Sequence, residues 1–241
     1  ALPKTKTQKK NFNPIQLKTL SKSYQIHCWT IIILLSLAMT SEVIKFPQFP
    51  EFTIHISLFI NVSSENITTI KSNLISATDN DHNKYDYCFL NTKYIISKEH
   101  LFQSIYKSLL NYTSKLGLST RNLKSEIIYN LSPINNVGDA LKRFGISEDC
   151  PNCIVIKIIN NNNKENSEET KILEKVTTDL KEIIDGELIE LNDQYIFENF
   201  IDLAKFRKLY KLNDVVDLNK EDNLQGRLTR LAIGACIIRG Y

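Results

Sequence analysis

Glycine is scarce in this 241-residue chain, and none of its seven glycines stands in a Gly-x-Gly-x-x-Gly, P-loop or nucleophile-elbow pattern. A kinase signature is missing as well, so the usual local devices for cradling phosphates or presenting a nucleophile are excluded. The four histidines, His27, His55, His82 and His100, lie far apart without metal-ligand spacing. Five cysteines are too few and too scattered for a disulfide framework and read as reduced thiols. No apolar run approaches the roughly 20 residues of a membrane helix; the run Cys28–Met39 has 12. An excess of one charge is also lacking. The net charge is +3, and six lysines (Lys4, Lys6, Lys9, Lys10, Lys18, Lys22) without one acid in residues 1–38 leave residues 39–241 at about −3. Bulk charge therefore excludes a strongly basic nucleic-acid binder but not a local basic patch.

What is present is a globular composition, 42% hydrophobic, enough to bury one or two cores. The 24 asparagines and 32 isoleucines reflect nucleotide bias, so Asn-rich tracts carry no functional weight. Residues 1–27 form a basic leader too long for a secretory signal. Met39 is the single methionine, and the globular pattern begins right after it. It is expected to be the initiator, with residues 1–38 a non-domain extension (a presequence or an artefact of the assigned start) and residues 39–241 the domain. Asn-x-Ser/Thr occurs at Asn61, Asn66, Asn111 and Asn130, no more than the about three that chance supplies, and does not point to secretion.

Along the domain, Phe46-Pro-Gln-Phe-Pro50 predicts an extended lead-in. Thr53–Ile60 alternates as a half-buried strand does. Ser63 or Ser64 caps a helix carrying Ile67, Ile70 and Leu74. Tyr87–Asn91 is a short strand, and Lys98–Leu116 a long helix stopped near Gly117. Glu126–Leu131 reads as a strand, Asn136 to Gly145 as a short capped helix, and Cys153–Ile159 as a central strand. Asn160–Glu168 is a surface loop. A helix capped by Ser167 with Ile172, Val176, Leu180 and Ile183 follows, then a strand Glu187–Leu191, a helix Ile196–Leu209 and a helix Leu224–Arg239. The predicted fold is α/β (α+β), one domain with a mixed sheet of four or five strands and helices in two layers.

Cys150-Pro-Asn-Cys153 resembles a thiol-redox pair, but it follows a helix and leads into a strand, so no helix dipole stabilises a thiolate. A thiol-redox protein using Cys150 and Cys153 is the alternative function. Zinc would need further ligands that have no matching spacing. Asp79-Asn80-Asp81-His82 lacks the glycine and the later glutamate of a calcium loop, and His100 reads as a surface or capping residue. No cofactor is expected. Basic residues gather at Arg121/Lys124, at Lys142/Arg143, in Lys205-Phe-Arg-Lys208 with Lys211, and at Arg227, Arg230 and Arg239; phosphate binding needs them to converge.

Thr120-Arg-Asn-Leu-Lys-Ser-Glu126, Leu131-Ser-Pro133, Asn136, Ala140 and Lys142-Arg-Phe-Gly-Ile146 together resemble the small accessory subunit of the KEOPS (EKC) complex, the TPRKB-type family. Ile44–Pro50, Arg207–Leu212 and Ile237-Ile-Arg-Gly240 match further blocks, so the resemblance covers residues 43–241 in order. It implies a compact α/β protein without catalytic residues that binds the kinase-like ATPase subunit and tRNA and acts as an allosteric effector. Another subunit, the threonylcarbamoyl transferase, modifies the adenosine beside the anticodon of tRNAs reading codons that begin with A. The resemblance also implies a nuclear location on chromosomes, with roles in telomere maintenance and transcription, and no membrane. Cations within or beside the matching blocks, Arg121, Lys124, Lys142, Arg143 and Arg239, are the expected tRNA contacts. The expected kinase face is an apolar surface formed by exposed members of the helices Leu101–Leu116 or Leu224–Ile238.

Overall fold

A computed structural model describes residues 41–76, 84–115, 117–161, 166–213 and 223–239. The expectations for residues 1–38 and Met39, the Asp79–His82 turn and the middle of the Asn160–Glu168 loop lie outside these residues. Two apolar strands form the centre of the sheet. Strand β2 (Phe52–Ile60) and strand β4 (Cys153–Asn160) pair antiparallel along almost their whole length, from Phe52 opposite Asn160 to Phe59 opposite Cys153. The free side of β4 takes β3 (Cys88–Asn91), and the free side of β2 is shared by β1 (Glu42–Ile44) and β5 (Glu187–Ile189). The α/β class and the strand count agree with the sequence. Every pairing among the described residues is antiparallel, however, so this sheet is not mixed: alternation of strands and helices does not by itself set strand direction.

Helices cover both faces, giving three layers rather than two. On one face α1 (Ser64–Ser76) and α5 (Asn166–Ile183) pack Ile67, Ile70, Val176 and Leu180 onto Phe59, Phe89 and Val155. On the other lie α2 (Lys98–Thr113), α3 (Leu123–Leu131), α4 (Val137–Phe144), α6 (Asp193–Asn199), α7 (Leu203–Leu209) and α8 (Leu224–Ile237). They bury Leu101, Ile105, Ile127, Phe144, Phe206 and Leu228 against Ile54, Ile56, Leu90 and Ile154. Because α5 roofs the second face, β2 is not half-buried: Thr53, His55 and Ser57 are as inaccessible as the isoleucines between them. Thr177 of α5 meets His55 Nε2 at 3.3 Å, and loss of water pushes the His55 pKa down to about 4.

Three local expectations are corrected. Glu126–Leu131 is helical. Asn122 caps α3 by accepting from Ser125 N at 2.9 Å, and because all of Glu126–Leu131 is buried the run has no polar face from which a period can be read. The helix expected at Ile196–Leu209 is two, since Asp202 accepts from Lys205 N at 3.1 Å and starts α7 afresh. The Phe46–Pro50 lead-in is a pair of turns, Phe49 N to Phe46 O (2.9 Å) and Phe52 N to Phe49 O (3.1 Å). Pro47 and Pro50 each occupy the second turn position, which their fixed φ suits. Ser63 rather than Ser64 caps α1, accepting from Asn66 N at 3.2 Å, and α5 starts one residue before Ser167.

His100 is neither on the surface nor a cap. It is fully buried, with Nε2 3.1 Å from the hydroxyl of Tyr210, which donates to Leu131 O at 2.6 Å. Burial pushes its pKa down to about 4, so the ring is neutral at physiological pH.

Candidate nucleic-acid interface and partner surface

The five cations expected to face RNA fall into separate settings. Lys142 and Arg143 lie in the last turn of α4, whose placement follows from three local features. Asn136 caps its start by accepting from Asp139 N at 3.0 Å. Gly145 ends it, and Asn91, at the end of β3, donates from Nδ2 to the carbonyls of Arg143 and Gly145. A Cβ at Gly145 would lie 2.5 Å from Leu141 O, so this close turn requires glycine. In front of the helix end is a cavity of about 220 Å³ lined also by Lys93, Tyr94, Ser147, Asp149 and Lys205. Lys93 Nζ is held by Asp149 Oδ2 at 2.5 Å, Arg143 Nη2 by Asp139 at 3.4 Å, and Lys205 Nζ by Asp202 at 3.0 Å. The hydrogen bond from Lys93, followed by one from Ser147, holds the Asp149 carboxyl below the usual range. Lys142 is exposed and pairs with no described residue.

Lys124 lies on α3, where with Lys157 of β4 it grips Asp86 (2.7 and 2.6 Å). Burial alone would raise the Asp86 pKa, but the two lysines outweigh it and the pKa falls. Arg121 is exposed, one residue before the Asn122 cap. Arg239 is turned inward on the end of α3. Its Nη1 donates to Tyr129 O and to Ser132 O (2.9 Å), and its Nη2 to Asn130 Oδ1 at 3.0 Å. The guanidinium thus adds donors to carbonyls at the helix end, where Tyr129 O also accepts from Ser132 N at 3.1 Å.

The cysteine pair lacks the exposed setting of an activated thiol. Cys150 and Cys153 are buried and unbridged. Cys150 Sγ donates to Asn152 O at 3.2 Å, and burial, reinforced by neighbouring Cys150 and Asp185, pushes the Cys153 thiol far above its ordinary pKa. A buried thiol kept protonated is a poor nucleophile. Among the described residues no three His, Cys, Asp or Glu side chains come together as metal ligands, and no helix is long and apolar enough to cross a membrane. Three sequon amides already serve the fold: Asn66 donates to Ile183 O, Asn111 to Glu126 and Asn130 to Ser108.

An apolar surface lies at the joint end of α2 and α8. The helices run side by side in the same direction, linked by Gln225 to Ile96 O (2.9 Å), Thr229 to Ser97 (2.9 Å) and Lys107 to Cys236 O (3.0 Å). This alignment puts Leu110, Ile237 and Ile238, which are 48%, 47% and 66% exposed, at one end of the pair. Apolar side chains grouped on a surface mark a contact site more often than scattered ones do.

A family model, the kinase binding protein CGI-121, matches residues 59–240. The chain belongs to this family. A subunit of the EKC/KEOPS complex, CGI121 of Candida albicans, is 99% identical over 203 residues, 84% of this chain and all of that protein. The CGI121 subunit of Debaryomyces hansenii is 45% identical over 84% of this chain and all of that protein. That of Candida glabrata is 32% identical over 78% of this chain and 95% of its own length. Family membership agrees with the blocks read from the sequence. Lys93, Tyr94 and Asn91 were not legible as site residues, because they are isolated in the sequence and meet α4 only across the fold; Lys205 was visible only as part of a basic group.

Proposed function

We propose that this protein is a non-catalytic subunit of an EKC/KEOPS-type complex, in which it binds the kinase-like ATPase subunit through the apolar end of α2 and α8. Two supports carry the reading: membership of a kinase-binding family, and exposure of Leu110, Ile237 and Ile238 where two parallel helices end together. The chain reaches the threonylcarbamoyl transferase through the kinase-like subunit, and its effect on tRNA modification is allosteric and positional. Arg121, Lys124, Lys142 and Arg143 supply the tRNA-facing charge, with Arg239 acting by holding the end of α3. Few phosphates are neutralised by so modest a set, so the other subunits add the remainder through effective concentration. The complex works in the nucleus and on chromosomes, including telomeres.

Purification of the tagged chain from its own cells under gentle salt tests this. Recovery of a kinase-like ATPase together with a threonylcarbamoyl transferase is the expected result. Recovery of neither refutes the assignment.

A further inference from the structure

We propose that the groove between the outer edge of β5 and α6 docks an extended segment of a partner protein that carries lysine or arginine. On one side β5 pairs with β2, Glu187 opposite Ile60 and Ile189 opposite Leu58. Among the described residues no strand pairs with its other side, so backbone donors and acceptors there stand ready for an incoming strand. Beside this edge lies a groove of about 580 Å³, to which Ile60 and Ile189 supply the apolar part. Three carboxylates, Glu187, Glu190 and Glu198, line it, and no lysine or arginine does. All three are exposed, and none pairs with a cation among the described residues. Glu198 Oε1 accepts from Gln194 Nε2 at 2.9 Å, a neutral donor that leaves its charge unmatched.

Charge selects the occupant. A second copy of this chain would bring its own carboxylates against these, and RNA would bring phosphates, so both are repelled. A lone metal ion is poorly served, because among the described residues no three His, Cys, Asp or Glu side chains come close enough to share one. Carboxylates spread along a strand and a facing helix suit cations that are themselves spaced, as on an extended segment whose same-face side chains stand roughly 7 Å apart. Tyr195, 41% exposed and braced by Phe200 at 5.3 Å between ring centroids, offers its ring to one of those cations. An apolar residue of the same segment covers Ile60 and Ile189. The groove is also separate from the proposed kinase face. Helix α2 starts against α6, where Lys98 N donates to Asp193 Oδ1 at 2.6 Å, and Leu110 lies about 18 Å further along that helix. The segment therefore docks without competing for the other end of α2.

Fluorescence anisotropy with the full chain at fixed low salt tests this, the probe being a labelled peptide of alternating arginine and valine. Glu187→Lys/Glu190→Lys reverses two groove carboxylates, and Glu187→Gln/Glu190→Gln neutralises them with less risk to the fold. Glu174→Lys/Glu182→Lys makes the same charge reversal at exposed positions of α5. Circular dichroism checks the folding of each. Reversal in the groove is expected to weaken binding by at least about tenfold and neutralisation severalfold, while the α5 variant loses less than about threefold. The same peptide with alternate amides N-methylated keeps its charges but cannot pair as a strand, and it is expected to bind at least about tenfold more weakly to the parent. No binding to the parent, equal binding by the parent and the folded groove variants, equal loss in the α5 variant, or undiminished binding of the methylated peptide overturns the proposal. Self-association of the parent in sedimentation velocity that the groove variants abolish would make a second copy the occupant and also overturn it. The complex assignment is read by co-purification and stands or falls separately.

Discussion

The guanidinium of Arg239 lies 3.7 Å from the centre of the Tyr129 ring while donating to the carbonyls of Tyr129 and Ser132. One residue near the carboxyl end of the sequence therefore closes the end of α3, 110 residues earlier in the chain. Replacing Arg239 by alanine removes a cation over a ring and takes one donor from each of the Tyr129 and Ser132 carbonyls, the former keeping its bond from Ser132 N at 3.1 Å. Stability is expected to fall by about 2 kcal/mol, read as a lower urea midpoint. Lysine, a point charge without the planar fork, is expected to restore less than half. Arg239→Glu combined with Arg121→Glu examines the RNA side as well; unchanged tRNA affinity at low salt would remove Arg121 from the tRNA-facing set and deny Arg239 any indirect part in it.

Glu126 is wholly buried yet accepts from Asn111 Nδ2 (2.8 Å), Thr120 N (2.9 Å) and Thr120 Oγ1 (2.9 Å). It ties the loop after α2 to the first turn of α3. Glu126→Ala leaves Asn111 Nδ2 and the Thr120 N–H unmatched, while the Thr120 hydroxyl keeps Asn122 O at 3.0 Å, and opens a cavity, at a cost of about 3 kcal/mol. Hydrogen exchange at the Thr120 amide should rise more than at β4 amides; equal rises would mean global rather than local loosening.

Two buried histidines make stability depend on acid. Both His55 and His100 have folded pKa values of about 4 against 6.5 when unfolded. A folded pKa below the unfolded one means that the unfolded chain binds more protons between the two. Their contribution is thus fully present above about pH 6.5 and is lost as pH falls towards 4. Each histidine contributes a slope of at most about 1.4 kcal/mol per pH unit in that window. Denaturant midpoints measured from pH 7 to pH 4.5 should fall more steeply for the parent than for His55→Gln, which lacks one of the two titrating groups.

At the proposed kinase face, Ile238→Asp and Leu110→Asp alter side chains that the fold leaves exposed, so unfolding midpoints should move by no more than about 0.5 kcal/mol. Co-purification of the kinase-like ATPase should nevertheless be lost. Retention of the partner by both folded variants would place its contact elsewhere.

Lys211 has φ of +56° just after α7, where Leu212 N returns to Arg207 O at 2.8 Å and Lys211 N to Lys208 O at 3.3 Å. This is the helix-ending arrangement in which glycine is commonest, because a Cβ is disfavoured at positive φ. Lys211→Gly is expected to stabilise the chain by about 1 kcal/mol in urea unfolding; a loss of similar size would mean that the lysine side chain contributes contacts exceeding the backbone strain.

The sequence alone determined those elements whose local chemistry has no competitor. Helical spacing over Lys98–Leu116 marks α2, although the helix stops at Thr113, Asn136 and Gly145 bracket α4, and the β-branched run at Cys153–Ile159 admits a central strand and little else. It also determined the family, through short blocks in a fixed order. Tertiary structure decided what depends on covering a surface. Whether Thr53, His55 and Ser57 meet water hinges on α5, more than 110 residues away, and a fully buried run such as Glu126–Leu131 shows no periodicity by which to tell helix from strand. The same holds for the basic residues. Arg239 and Lys142 are indistinguishable as cations in a sequence, yet one turns inward to close a helix and the other stands free beside Lys93 and Lys205. Coulomb attraction falls off with distance, so only the fold, by fixing which charges are near which, decides whether a cation supports the structure or faces a ligand.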